Sequence, residues 1–209
     1  MTTWYTSDPH FYHNNVIQFC TRPYKDVEEM NEKLILNWNT RVMPDDTVYC
    51  LGDFSLAIRP VELFSTRLNG NKKLVPGNHD WCHPANKKSR GNTEHGTPKL
   101  DKWIKKYEEH GWEVLPIQTE LNLEGVAKVN VCHMPYKGDS TDDRYQNYRL
   151  PDDGRVLLCG HVHQHWQTKW TPKGSLMVNV GVDVWDWKPV AEDTLKTLIL
   201  SELKNKDSN

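Results

Sequence analysis

The sequence predicts a single mixed α/β or α+β layered domain spanning residues 1–209, and three observations lead there. Short apolar, β-branched segments recur along the chain; amphipathic helical patterns separate the early ones; the second half is strand-rich and has no internal repeat or linker. A chain of 209 residues can bury roughly 70% of its unfolded surface, so no disulfide or metal staple is needed for folding.

The first strand is expected at 2–7, where TTWYTS is short and rich in β-branched and aromatic residues. In 27–41, Val27, Met30, Leu34 and Trp38 recur at helical spacing behind an Asp26/Glu29 capping-box signature. A second strand, 47–52, leads to a helix over 60–69 that places Val61, Phe64 and Leu68 on one face. The third strand, 73–77, ends at Pro76 and Gly77. Leu100, Trp103, Ile104 and Tyr107 form the stripe of a helix over 98–110, opened by Thr97-Pro98 and closed by Gly111. Strands at 126–133, 155–161 and 175–182 complete the set. Two polar stretches, 82–97 and 137–154, lack periodicity, and loops of that length either cover a site or lie solvated on the surface.

A net charge of −2 and a pI near 6.5 argue against a protein that grips nucleic acid by general electrostatics, so no stable nucleic-acid partner is expected; a localised basic patch stays open. The five cysteines, Cys20, Cys50, Cys82, Cys132 and Cys159, are scattered and never in Cys-x-x-Cys spacing, which suits reduced thiols that pack as small hydrophobes. The N-terminus has no basic region ahead of an apolar core, and no window approaches 18 apolar residues. A soluble, cytoplasmic protein without a membrane partner is expected.

Most of the strands end in polar clusters: Asp8-x-His10, Gly52-Asp53, Gly77-Asn78-His79-Asp80, His133 and Gly160-His161-x-His163. Ligands of α/β sheets bind outside the carboxyl ends of the strands, so these clusters should converge on one pocket. On extended backbone Asp8 and His10 leave by the same face, as do His161 and His163. Carboxylates, imidazoles and an amide without thiolates suit Mn, Fe, Co, Ni or Zn. Seven such groups are too many for one tetrahedral ion and right for two ions about 3.5–4 Å apart. Two carboxylates against two divalent ions leave positive charge over, which a hydroxide and a phosphate ester would neutralise.

In this order the five clusters resemble the calcineurin-like metallophosphoesterase superfamily, with its Asp-x-His, Gly-Asp, Gly-Asn-His-Asp/Glu, lone His and Gly-His-x-His pattern. SDPHFYHNNVIQFCTRPY, MNEKLILNWN and DDTVYCLGDF are also similar to a small bacterial and phage subgroup of predicted phosphoesterases. The resemblance implies a four-layer α/β/β/α sandwich of two mixed sheets flanked by helices. It assigns Asp8, His10 and His163 to one metal, Asn78, His133 and His161 to the other, and Asp53 to the bridge. Mn²⁺ is the favoured ion.

The activity implied is hydrolysis of phosphate esters, phosphodiesters of nucleotide or cyclic-nucleotide type favoured, by metal-activated hydroxide. His79 would be the general acid and Asp80 would orient it. The alternatives are a phosphomonoesterase or phosphoprotein phosphatase, and a non-catalytic binding scaffold. His13, His83, His95, His110 and His165 are expected as surface histidines, with His13 and His165 close enough to the motifs to support ligands. The basic run Lys87, Lys88 and Arg90 reads as a solvated loop, with a phosphate clamp as the alternative. Trp81, Trp166, Trp170, Trp185 and Trp187 read as packing residues, any of which could stack a nucleobase if exposed.

Overall fold

The computed structural model describes residues 1–139 and 142–207. Two five-stranded mixed sheets pack face to face. The first contains β1 (Thr3–Thr6), β2 (Thr47–Cys50), β3 (Asn71–Leu74), β4 (Trp112–Val114) and β10 (Val190–Ala191), in the order β10-β1-β2-β3-β4. Only β10 runs antiparallel to its neighbour. The second contains β5 (Gln118–Leu123), β6 (Ala127–Cys132), β7 (Leu157–Cys159), β8 (Thr168–Trp170) and β9 (Leu176–Asn179), in the order β5-β6-β7-β9-β8. Its inner strands β6, β7 and β9 are parallel, and its edges β5 and β8 are antiparallel.

Alternation along each strand decides which core a side chain joins. Tyr5, Leu51 and Val75 from the first sheet meet Val129, Val131, Leu158 and Val178 from the second in one buried core. Val48, Cys50, Leu74 and Trp112 turn the other way. They pack on α1 (Asn14–Phe19), α2 (Val27–Asn39), α3 (Ile58–Phe64) and α4 (Lys99–Glu108) through Val16, Met30, Trp38, Val61 and Tyr107. The last helix, α5 (Glu192–Asp207), sets Leu195 and Ile199 into the core between the sheets. The far side of the second sheet, with Leu157, Cys159 and Met177, is covered by Met134 and Tyr136 together with Tyr145, Leu150 and Trp166.

Helix α2 starts where its cap residues require: the Asp26 carboxylate accepts from Glu29 N at 2.8 Å, and Glu29 reaches back to Lys25 N at 2.9 Å. The helix expected over 60–69 starts earlier, at Ile58, and tightens into a 3₁₀ turn at Ser65–Arg67. All five cysteines are free and buried. Cys50 joins the helix-side core, and Cys132 and Cys159 the core beneath Tyr136. Among the described residues no helix is long and apolar enough to cross a membrane.

Candidate metal centre

The parallel strands β1, β2, β3, β6 and β7 stop at Thr6, Cys50, Leu74, Cys132 and Cys159, and each polar cluster follows within a few residues. The loops meet at one rim because Gly77 and Gly160 allow unusually close approach. A Cβ at Gly77 would collide with Asp53, and one at Gly160 with Ser7 Oγ and the Asp8 carboxylate. Neither Asp8 and His10 nor His161 and His163 lie on extended strand. Asp8 (φ 57°), His10 (φ 52°), Asp53 (φ 52°), His161 (φ 71°) and His163 (φ 47°) all have left-handed backbone, so tight turns, not strand alternation, aim them. Non-glycine residues held there cost on the order of 1–3 kcal/mol each, and such strain gathers at functional sites.

Of three groups of potential ligand atoms whose members lie within 4.8 Å of one another among the described residues, two are made of motif residues, Asp8, His10 and His163, and Asp53, His133 and His161; the third, Cys20, His163 and Asp183, shares His163 with the first. Asp53 Oδ2 faces both groups, 3.6 Å from His10 Nε2 and 3.3 Å from His133 Nε2. Four buried atoms of these motifs, Asp8 Oδ1, His10 Nε2, Asn78 Oδ1 and His133 Nε2, have no hydrogen-bond partner among the described residues. A buried polar atom left unpaired costs about 1–3 kcal/mol, and four of them in one pocket are what divalent cations would satisfy. The donor set of carboxylate, imidazole and amide fits such ions.

The surroundings fix which imidazole nitrogen is offered. His133 donates Nδ1–H to Leu51 O at 2.6 Å, leaving the Nε2 lone pair for an ion. His163 Nδ1 meets Asp183 Oδ2 at 3.1 Å, and His161 Nε2 meets Asp139 Oδ2 at 2.8 Å, which leaves Nε2 and Nδ1 respectively. Both carboxylates are anchored by arginine. Buried Arg22 forks onto Asp183 at 2.8 and 2.9 Å and also donates to Asp8 O and Pro9 O. Arg149 pairs with Asp139 at 2.6 Å. Asp139, Asp183, Arg22 and Arg149 were not legible as site residues, since an isolated Asp or Arg carries no spacing signal until folding sets it behind a histidine.

Electrostatics favour a cation here. Burial alone would lower the His133 pKa, yet Asp53 and Asp8 push it up to about 9. Burial likewise opposes protonation of His163, and the Asp183 hydrogen bond pushes it up to about 11. His10, where burial dominates over Asp53, is held well below the ordinary histidine value. Carboxylates strong enough to do this in a dry pocket are neutralised well by a metal ion.

His79 stands at the rim, 44% exposed, with Nε2 at 4.0 Å from Asp53 Oδ2 and its backbone N–H donating to Asp53 Oδ1 at 2.8 Å. Asp80 does not orient it. Its buried carboxylate accepts from the backbone N–H of Asp53, Phe54 and Gly77 and from Tyr107 Oη, at 2.8, 3.0, 2.8 and 3.2 Å. Those bonds fill its lone pairs and tie the β2 loop to the β3 loop. His79 is held instead by Asn86, whose amide donates to the carbonyls of His79 and Asn78.

The two polar stretches differ from simple insertions. Residues 82–90 are pinned through Asn86 and Ser89, and Asp139 ties the second stretch to His161; Ser140 and Thr141 lie outside the described residues. His83, expected at the surface, is buried, and its Nδ1 accepts from Ala85 N at 2.9 Å. His13 Nδ1 lies 3.4 Å from His10 Nδ1.

Comparison with known proteins agrees with this picture. A family model described as the calcineurin-like phosphoesterase superfamily domain matches residues 1–204. The Gene 66 protein of Mycobacterium phage L5 is 32% identical over 211 residues, covering 94% of this chain and 93% of the phage protein. Uncharacterized protein MJ1445 of Methanocaldococcus jannaschii is 32% identical over 200 residues, covering 92% and 88%. In fold, the crystal structure of the protein of unknown function AQ665 from Aquifex aeolicus superimposes with a TM-score of 0.64 at 24% identity, over 95% of this chain and 99% of that one. With the motifs brought to one rim and the match running almost end to end, the chain belongs to the calcineurin-like phosphoesterase superfamily of metal-dependent phosphoesterases.

Proposed function

We propose that the protein hydrolyses phosphodiesters at a pair of divalent ions, Mn²⁺ favoured. Asp8, His10 and His163 would hold one ion, Asn78, His133 and His161 the other, and Asp53 would serve both. The observation that carries the reading is the set of four motif atoms that are buried without a hydrogen-bond partner among the described residues, two of them, His10 Nε2 and His133 Nε2, at 3.6 and 3.3 Å from Asp53 Oδ2. When bound, such a pair supplies Lewis acidity at phosphorus and lowers the pKa of water. The chain's own contribution is order: Leu51, Asp183 and Asp139 fix the imidazole tautomers, and Asp80 fixes the two loops that bear Asp53 and Asn78.

His79 is the proton donor to the leaving alkoxide in this reading. Its ring is exposed enough to meet substrate, and its Nε2 stands 4.0 Å from Asp53 Oδ2 at the edge of the centre. A diester is favoured over a monoester by charge. The buried arginine nearest the centre, Arg22, spends its guanidinium on Asp183 and two carbonyls and is not free to grip a phosphate dianion. The test is bis-(p-nitrophenyl) phosphate against p-nitrophenyl phosphate after Mn²⁺ loading. The diester should turn over faster; faster monoester turnover contradicts the preference, and no turnover of either contradicts the activity.

A further inference from the structure

We propose that the diester substrate is a single-stranded nucleic acid, drawn to the metal centre along a basic, aromatic-walled channel built by residues 81–106. The inference rests on the phosphodiesterase reading and adds the substrate class.

A groove of about 480 Å³ opens at the candidate general acid, with Asn78 and His79 in its lining beside Lys87, Lys88 and Arg90. Lys87 and Lys88 also line a wider cleft of about 890 Å³, so the two spaces adjoin across these residues. That cleft adds Lys99, Lys102, Lys105 and Lys106, all carried on α4. Lys99, Lys102 and Lys106 recur at three and four residues, which sets them along one side of the helix over about 10 Å.

Charge is segregated to an extent the whole-chain value hides. Of 26 basic and 28 acidic residues, seven basic and two acidic, Glu94 and Glu109, line these spaces, so the remainder of the surface carries the opposite excess. Only Lys106 of the seven forms a salt bridge among the described residues, with Glu62 at 3.0 Å and Glu109 at 3.9 Å. Six cations without a carboxylate partner, leading to a metal centre, form an electrostatic track for a polyanion. A single small dianion needs one or two of them; a row along a helix suits successive phosphates.

Aromatic side chains interleave with the cations: Trp81 and Trp103 are half-buried against the helix-side core, with Lys102 Nζ 4.8 Å from the Trp103 centroid, and aromatic edges along a basic groove suit unpaired bases better than duplex. Trp81 and Trp103 pack edge to face with centroids 4.5 Å apart, and their indole N–H groups are tied to Leu56 O and Lys88 O. Lys88 Nζ lies 5.3 Å from the Trp81 ring centroid, and Tyr145 lines the groove near His79. A duplex hides its base faces and would present only phosphates to such walls.

The test uses the full chain loaded with Mn²⁺, a labelled DNA strand of about 16 nucleotides, its duplex, and bis-(p-nitrophenyl) phosphate. The wild type should cleave the single strand at least about tenfold faster than the duplex. Lys102→Glu/Lys105→Glu should cut single-strand cleavage about tenfold and flatten its salt dependence by about 0.7 per lost phosphate contact, while leaving bis-(p-nitrophenyl) phosphate turnover unchanged. Lys102→Gln/Lys105→Gln, read alongside by thermal melting, repeats the measurement if charge reversal harms folding. Turnover of the small diester with no strand cleavage, with equal duplex cleavage, or with no effect of either double variant overturns the nucleic-acid proposal alone. Loss of small-diester turnover in the wild type overturns the phosphodiesterase reading beneath it.

Discussion

His133 and Asp53, more than 75 residues apart in sequence and contributed by different sheets, bring Nε2 and Oδ2 to 3.3 Å, and that nitrogen has no hydrogen-bond partner among the described residues. The Leu51 carbonyl holds the ring so that Nε2 faces the carboxylate. His133→Ala should therefore weaken one ion and spare the other. Titration with Mn²⁺ should show one site retained near wild-type affinity; loss of both sites, or of neither, would refute this assignment.

His79 and Asp80 adjoin in sequence but should behave as opposites. His79→Ala removes a rim group and should leave melting temperature and metal content unchanged while lowering turnover by about 10²–10⁴. Asp80→Ala strands three buried backbone N–H groups at about 1–3 kcal/mol each, so it should unfold the protein or lower its melting temperature steeply. Calorimetry on the two variants checks both; equal stability for them contradicts the role given to Asp80.

Asp183 acts through His163. Asp183→Asn should weaken metal binding about 10–100-fold, the usual effect of losing a carboxylate behind a ligating histidine. It also leaves Arg22 buried without its counter-charge, which typically costs about 3–5 kcal/mol. Metal affinity measured under conditions where the variant is still folded separates the two effects; unchanged affinity would remove Asp183 from the centre.

His83, which is not among the proposed ligands, supplies a pH dependence set mainly by burial, with smaller contributions from His133 and Asp53. Burial holds its pKa down at about 4, against about 6.5 unfolded, so the unfolded chain binds the extra proton between those values. Stability from this group is complete above pH 6.5 and is lost as pH falls toward 4, by up to about 3 kcal/mol. His83→Asn keeps an acceptor for Ala85 N and should flatten the acid limb of the stability curve by that amount in denaturant titrations on chelated protein. Parallel curves for the two proteins would contradict it.

Strands β1, β2, β3, β6, β7 and β9 were legible as short apolar or β-branched runs, and helices α2, α3 and α4 by their apolar period of 3.6, whereas β4, β5, β8 and β10 were not. The motif residues were legible because each cluster is local: Asp8 with His10, Asn78 with His79 and Asp80, His161 with His163. What the reading lacked was long-range or weakly patterned. Strand β5, Gln118–Leu123, buries only Leu123 fully, and β4 and β10 are three and two residues long. Helix α1 has six residues, too few to show a period. Helix α5 does carry one in Leu195, Leu198 and Ile199. The geometry of Asp8-x-His10 was a separate lesson: the spacing was right, but positive φ angles rather than extended backbone aim the pair.

Metal stoichiometry decides the central claim. Elemental analysis of protein purified without chelators, with anomalous scattering to locate the ions, should find two divalent cations per chain about 3.5–4 Å apart on either side of Asp53. One ion, none, or a pair placed away from Asp53 would contradict the account.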